Sequence, residues 1–132
     1  MADRPFPLDF PTLDPGPKPN TFLVLPAGFQ AEAKPDMDSP VFKLDPGALL
    51  DAFKAVALAA PRTQVEQKGA GQVELVQRSA IFRFPDYITA QAVAVEGGAS
   101  LCVFSRSKIG HSDLGVNAKR VRGWLEALEK RV

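Results

Sequence analysis

Ten of the chain's twelve prolines fall between Pro5 and Pro46, which limits what the first third of the sequence can build. Proline fixes φ and has no amide hydrogen to donate, so it breaks helix interiors and confines strands to sheet edges. Yet this stretch holds Phe6, Phe10, Leu13, Phe22, Leu23, Val24, Leu25, Phe29, Val41 and Phe42, too many apolar side chains to leave in water. Together these facts predict an extended, mildly acidic arm over residues 1–44, packed on a domain formed by residues 45–132. Short edge-strand pieces are expected near Thr21–Leu25 and Val41–Leu44.

Beyond the prolines the pattern becomes regular. Asp45-Pro46 opens a helix, with Asp as N-cap and Pro at the first helical position. Leu49, Leu50, Phe53, Val56, Ala57 and Ala60 then recur at three- and four-residue spacing, and Pro61 stops the run. Four extended runs follow, Thr63–Lys68, Gln72–Phe84, Tyr87–Val95 and Ala99–Lys108, separated by turns too short for parallel crossovers. A second stripe, Leu114, Ala118, Val121, Leu125 and Leu128 with Trp124 beside it, predicts a closing helix whose last turn carries Lys130 and Arg131. The expected architecture is α+β: about four antiparallel strands with two amphipathic helices on one face, plus the proline-rich arm. With 132 residues there is room for one core, hence one domain in total.

Composition excludes several classes of function. A formal net charge of +1 gives no electrostatic reason to bind a polyanion. Lys119, Arg120 and Arg122 make the last helix locally basic, but Glu126 and Glu129 dilute it and no aromatic stacking platform accompanies it. No nucleic-acid partner is expected. One cysteine and one histidine cannot build a disulfide or a metal framework, so no metal site and no cofactor are expected. The longest apolar stretches, Phe22–Leu25 and Ala55–Ala60, are too short for a membrane span, and MADRPFPLDF has no apolar leader. The expected setting is a soluble, reduced cytoplasmic one.

Polar chemistry concentrates from Ser105 to Arg120. Strand alternation puts Ser105 and Ser107 on one face and Arg106 on the other. On the following helix Asp113, Asn117 and Arg120 share a polar edge beside the apolar stripe. One reading makes this an anion or acyl site built from a helix N-terminus, serine hydroxyls and arginines. The other makes Asp113 the N-cap, accepting from the amides of Gly115 and Val116, with Arg106 and Arg120 neutralising Asp113 and Asp86. The two conflict, because a capping carboxylate occupies the donors an anion needs and repels its charge. On the capping reading, Asn at position 113 is expected to serve almost as well. Arg78 lies among apolar neighbours and needs either Asp86 as a partner or a route to water. His111 could act as a base near the serines or simply face solvent, and no Gly-x-Ser-x-Gly elbow supports a nucleophile, so no catalytic residue is assigned. Cys102, between Leu101 and Val103, reads as a buried, inert thiol.

Gln77-Arg78-Ser79, Phe84-Pro85-Asp86-Tyr87-Ile88, Ser105-Arg106-Ser107, Gly110 and above all Ser112-Asp113-Leu114-Gly115-Val116-Asn117, with Arg120 and Trp124, resemble the domain of unknown function 1499 family. The resemblance runs from about Pro19 to Leu128 and implies a small protein of a bacterial and plastid group with no established reaction. Many members have cysteine after the Pro-Asn pair, where this chain has Thr21. The expected function is a non-enzymatic binding or assembly module with a protein partner. The alternative is an enzyme or small-anion binder using Arg78, Ser105, Arg106, Ser107, Asn117 and Arg120.

Overall fold

The computed structural model describes residues 5–132; the first four residues of the expected arm, Asp3 and Arg4 among them, lie outside the described residues. The architecture is α+β. Strands β1 (Thr21–Pro26) and β2 (Met37–Ser39) precede helix α1 (Pro46–Leu58). Four further strands follow, β3 (Thr63–Gly69), β4 (Gln72–Arg78), β5 (Pro85–Val95) and β6 (Gly98–Ser107), then helix α2 (Val116–Arg131).

Among the described residues the sheet has six strands in the order β2-β1-β6-β5-β4-β3, which corrects the expectation of a four-stranded antiparallel sheet. The antiparallel meander β3 to β6 forms as the turn spacing predicts. The added strands come from the proline-rich segment. Strand β1 pairs antiparallel with β6, and β2 pairs parallel with β1, so the sheet is mixed. Thr21–Leu25 is thus an interior strand, not an edge piece. Its prolines do not interrupt it: Pro19 precedes it and Pro26 closes it, while Pro35 and Pro40 bracket β2. Phe22 to Leu25 form a continuous apolar run without alternation, as expected of a strand covered on both faces. Val41–Leu44 is not a strand; it contributes one bridge, Phe42 to Ala99. The long second run also ends early, at Arg78, and residues 79–84 form the β4–β5 loop.

Helix α1 keeps its predicted start, with the Asp45 carboxylate accepting from the Ala48 amide at 2.8 Å. Both helices cover one face of the sheet. Leu49, Phe53, Val56 and Ala57 of α1 meet Val121, Leu125 and Leu128 of α2 over Val73, Leu75, Ile88, Leu101 and Val103. Two assignments on the second stripe are corrected. Leu114 lies outside the helix and is 94% exposed, whereas Trp124 is buried, edge-on to Phe53 at 5.9 Å. The opposite face carries a second core in which Leu8 and Phe10 join Leu23, Leu25, Cys102 and Phe104. Gln72 ties this segment down: its side chain accepts from the Leu8 amide at 2.9 Å and donates to the Leu8 carbonyl at 2.7 Å.

Candidate functional site

Strand register brings four polar side chains to one end of the helix-covered face. Gln77 pairs with Asp86, Asp86 with Ser107, and Ile88 with Ser105, so Gln77, Asp86, Ser105 and Ser107 all point toward α2. Asn117 and Arg120 of α2 descend on them, one helical turn apart. The Arg120 guanidinium donates to Asp86 Oδ2 at 2.6 Å, Gln77 Oε1 at 2.5 Å, Asn117 Oδ1 at 2.7 Å and Ser105 Oγ at 3.1 Å. Ser105 Oγ donates in turn to Asn117 Oδ1 at 2.5 Å. The Asn117 amide nitrogen donates to the Asn20 carbonyl at 2.9 Å, Ser107 Oγ at 3.0 Å and Asp113 Oδ2 at 2.7 Å. Asn117 is fully buried, and both ends of its amide are engaged inside the molecule.

Asp113 does what the capping reading requires by a different route. The residue at the N-cap position is Gly115, whose φ of 83° lies in the left-handed region that glycine tolerates. From two residues upstream, Asp113 Oδ1 accepts the Gly115 amide at 2.9 Å and Oδ2 accepts the Asn117 amide at 2.8 Å. The Val116 amide, an expected partner of the side chain, instead reaches the Asp113 carbonyl at 3.1 Å. Burial opposes the Asp113 charge, but hydrogen bonds from the Asn117 amide and side chain and from the Gly115 amide outweigh it, holding the carboxyl below its ordinary range.

Two of the expected arginines sit elsewhere. Arg106 projects from the opposite face, as alternation demands, and does not reach Asp113. It pairs with the fully buried Glu74 at 3.0 Å, donates to Thr89 Oγ1 at 2.9 Å and lies 5.2 Å from the centre of the Phe104 ring. Arg78 does not meet Asp86, which belongs to Arg120; it donates to the Arg83 carbonyl in the β4–β5 loop at 3.4 Å. Glu74 and Thr89 of these networks are not singled out by the sequence, and Gln77 and Asn20 enter only within the family resemblance. Glu74 carries a local signal, since a carboxylate within Val73-Glu74-Leu75-Val76 needs a cation if its face of the strand is covered. Gln77 and Asn20 gave no such signal, because their roles depend on register across distant strands.

The remaining candidates for chemistry stand apart. His111 is exposed. The Cys102 thiol is pushed up to about 12 by burial, so it stays protonated and unreactive. Among the described residues no group of three His, Cys, Asp or Glu side chains could hold a metal ion. Among the described residues no helix is long and apolar enough to cross a membrane. A hollow of about 380 Å³ opens on the Arg106 side, between residues 13–18 and the ends of β1, β5 and β6, with Lys18, Arg106 and Lys108 in its wall.

The family model described as "Protein of unknown function (DUF1499)" matches residues 14–128. The chain belongs to this family. No curated protein matches it significantly. Within this DUF1499 chain, the stretches that resembled the family fold into two distinct places. Ser105, Ser107, Asp113, Asn117 and Arg120 meet Asp86 on the helix face, while Arg106 lies behind the sheet with Glu74.

Proposed function

We propose that this DUF1499 chain is a non-catalytic binding or assembly module, in which the Ser-Arg-Ser and Asp-Leu-Gly-Val-Asn stretches fasten the last helix to the sheet. One observation carries the reading. The amide of Asn117, fully buried, is engaged at both ends by Ser105, Ser107, Asp113, Arg120 and Asn20. An anion at the start of α2 would compete with the Asp113 carboxylate for the same amides and be repelled by its charge. Among the described residues, moreover, no buried side-chain nitrogen or oxygen lacks a hydrogen-bond partner. Binding then falls to surfaces outside this network. A reduced, cytoplasmic setting belongs to the same reading, supported by a single cysteine that lies buried in a core.

A second reading has its own observation. The hollow on the Arg106 side sets Lys18 and Lys108, beside an Arg106 already paired with Glu74, against one acidic lining residue, Asp14, a composition suited to a small carboxylate or phosphate. A thermal-shift screen with phosphates, nucleotides and carboxylates separates the two. The module reading expects shifts within about 1 °C for every compound. A saturable rise of several degrees that disappears in Lys18→Ala or Lys108→Ala would move the assignment to a small-anion binder.

A further inference from the structure

Six apolar side chains stand in water at one end of the sheet. Ile81, Phe82 and Phe84 of the β4–β5 loop are 81%, 72% and 46% exposed, and Leu114, Ile109 and Val116, around the β6–α2 connection, are 94%, 50% and 47% exposed. Single exposed apolar residues are common, but six gathered at the same end of a small fold are not. The two connections adjoin: the Lys108 amide donates to the Pro85 carbonyl at 3.2 Å. They are also held in shape. The Ser79 amide donates to the Phe84 carbonyl and the Phe84 amide to Ser79 Oγ, each at 3.0 Å, which closes the loop at its neck. Phe82 and Phe84 stack on each other at 5.4 Å and remain exposed. Arg83 and Leu114 adopt φ of 61° and 54°, a conformation non-glycine residues avoid.

Charge identifies the surface these loops suit. Residues 78–85 and 106–112 contain Arg78, Arg83, Arg106 and Lys108 and no acidic residue. Arg62 joins the same end, its side chain donating to the Arg78 carbonyl at 2.8 Å. Of the acids beside this end, Asp86 faces Arg120 and Asp113 the first amides of α2, while exposed Asp14 lies in the hollow with Lys18 and Lys108, two cations to one acid. The whole chain carries only +1, so the excess is local.

We infer that this end of the molecule docks on an anionic lipid surface, with Ile81, Phe82, Phe84 and Leu114 entering the headgroup layer and Arg62, Arg78, Arg83 and Lys108 facing lipid phosphates. The inference rests on the binding-module reading and names its partner. A fluid interface accepts separate protruding side chains, aromatic ones especially, and an anionic leaflet attracts the cations beside them. A stable protein partner requires a broad complementary face of about 800 Å² on each side, and two narrow loop tips do not supply one.

The test is cosedimentation of the full chain with vesicles at low salt. Binding is expected to vesicles of phosphatidylcholine with about one-third phosphatidylserine, not to phosphatidylcholine alone, and to fall steeply by about 0.5 M salt. Ile81→Ser with Phe82→Ser, both exposed and outside the core, should weaken it about tenfold or more, and Arg78→Glu with Arg83→Glu should do the same. Val41→Ser, an exposed site beside the β5–β6 turn at the opposite end, should leave it unchanged. Indifference of the wild-type chain to both vesicle types overturns the inference, as does equal binding by the loop variants. Either result leaves the module reading intact, since that falls only to a small ligand that stabilises the chain. Capture of a purified protein through Ile81 and Phe82, with vesicles ignored, would also overturn the lipid assignment.

Discussion

Asp113 uses both carboxylate oxygens, Oδ1 on the Gly115 amide and Oδ2 on the amide and side chain of Asn117. That division revises the expectation that Asn could take its place. An asparagine has one acceptor and would turn its own NH2 group toward a donor. Asp113→Asn should therefore cost nearly as much as Asp113→Ala, each about 1–2 kcal/mol by urea unfolding. A variant pair in which Asn is neutral and Ala is not would return Asp113 to an ordinary cap. The pH dependence follows from the sign of the shift. The folded carboxyl lies below its unfolded value, so its stabilisation is complete above the unfolded value of about 3.9 and fades as pH falls toward the folded one. The gap in unfolding midpoint between wild type and Asp113→Ala should be constant above about pH 5 and shrink below pH 4. A gap that widens on acidification contradicts the assignment.

At the scale of elements, Asn117 bolts α2 to the end of β6 and to the segment entering β1. Asn117→Ala would take one hydrogen-bond partner at once from Arg120, Ser105, Ser107, Asp113 and the Asn20 carbonyl and should cost about 3 kcal/mol in equilibrium denaturation. A loss near that of an exposed helix position would show that the network carries little of the docking. How far these elements could be read from the chain depended on whether their signals were local. Asp45-Pro46 and the apolar stripe announced α1, and the short turns announced the β3–β6 meander. Alternation alone separated Ser105 and Ser107 from Arg106. Proline density across the whole segment points to an edge position for β1, whereas Pro19 and Pro26 only flank its apolar run. Three-residue β2 is too short to carry a period. The pairing of Arg120 with Asp86 needed register: both residues were singled out, but nothing in the sequence separates Asp86 from Asp113 as the partner of either Arg106 or Arg120. Gly98 is another non-local requirement. A Cβ there would stand 1.9 Å from the Phe42 carbonyl oxygen, so Gly98→Ala must break the bridge between residues 42 and 99. A loss of about 2–3 kcal/mol is expected, well above a typical surface substitution.

For the molecule as a whole, the sheet is a wall between two cores, and the smaller one depends on the proline-rich segment. Leu8 and Phe10 close it over Cys102 and Phe104, and they lie before residue 14, where the family match begins. The lone thiol reports whether that cover is in place. Burial pushes Cys102 up to about 12, so modification at neutral pH has to pass through an opened state in which the thiol regains an ordinary value of about 8.5. The native chain should label with a small thiol reagent only at the rate set by opening. Phe10→Ala, which removes one wall of this core, should cost about 3 kcal/mol and raise the labelling rate more than tenfold. Phe53→Ala removes a side chain of the helix-side core and should cost about as much. If the sheet separates the two cores, Cys102 should label faster in the Phe10 variant than in the Phe53 variant at matched global stability, because only the first opens the cover locally. Equal rates at equal stability would mean that both faces open as one cooperative unit, with the N-terminal segment built into the fold as firmly as the helices.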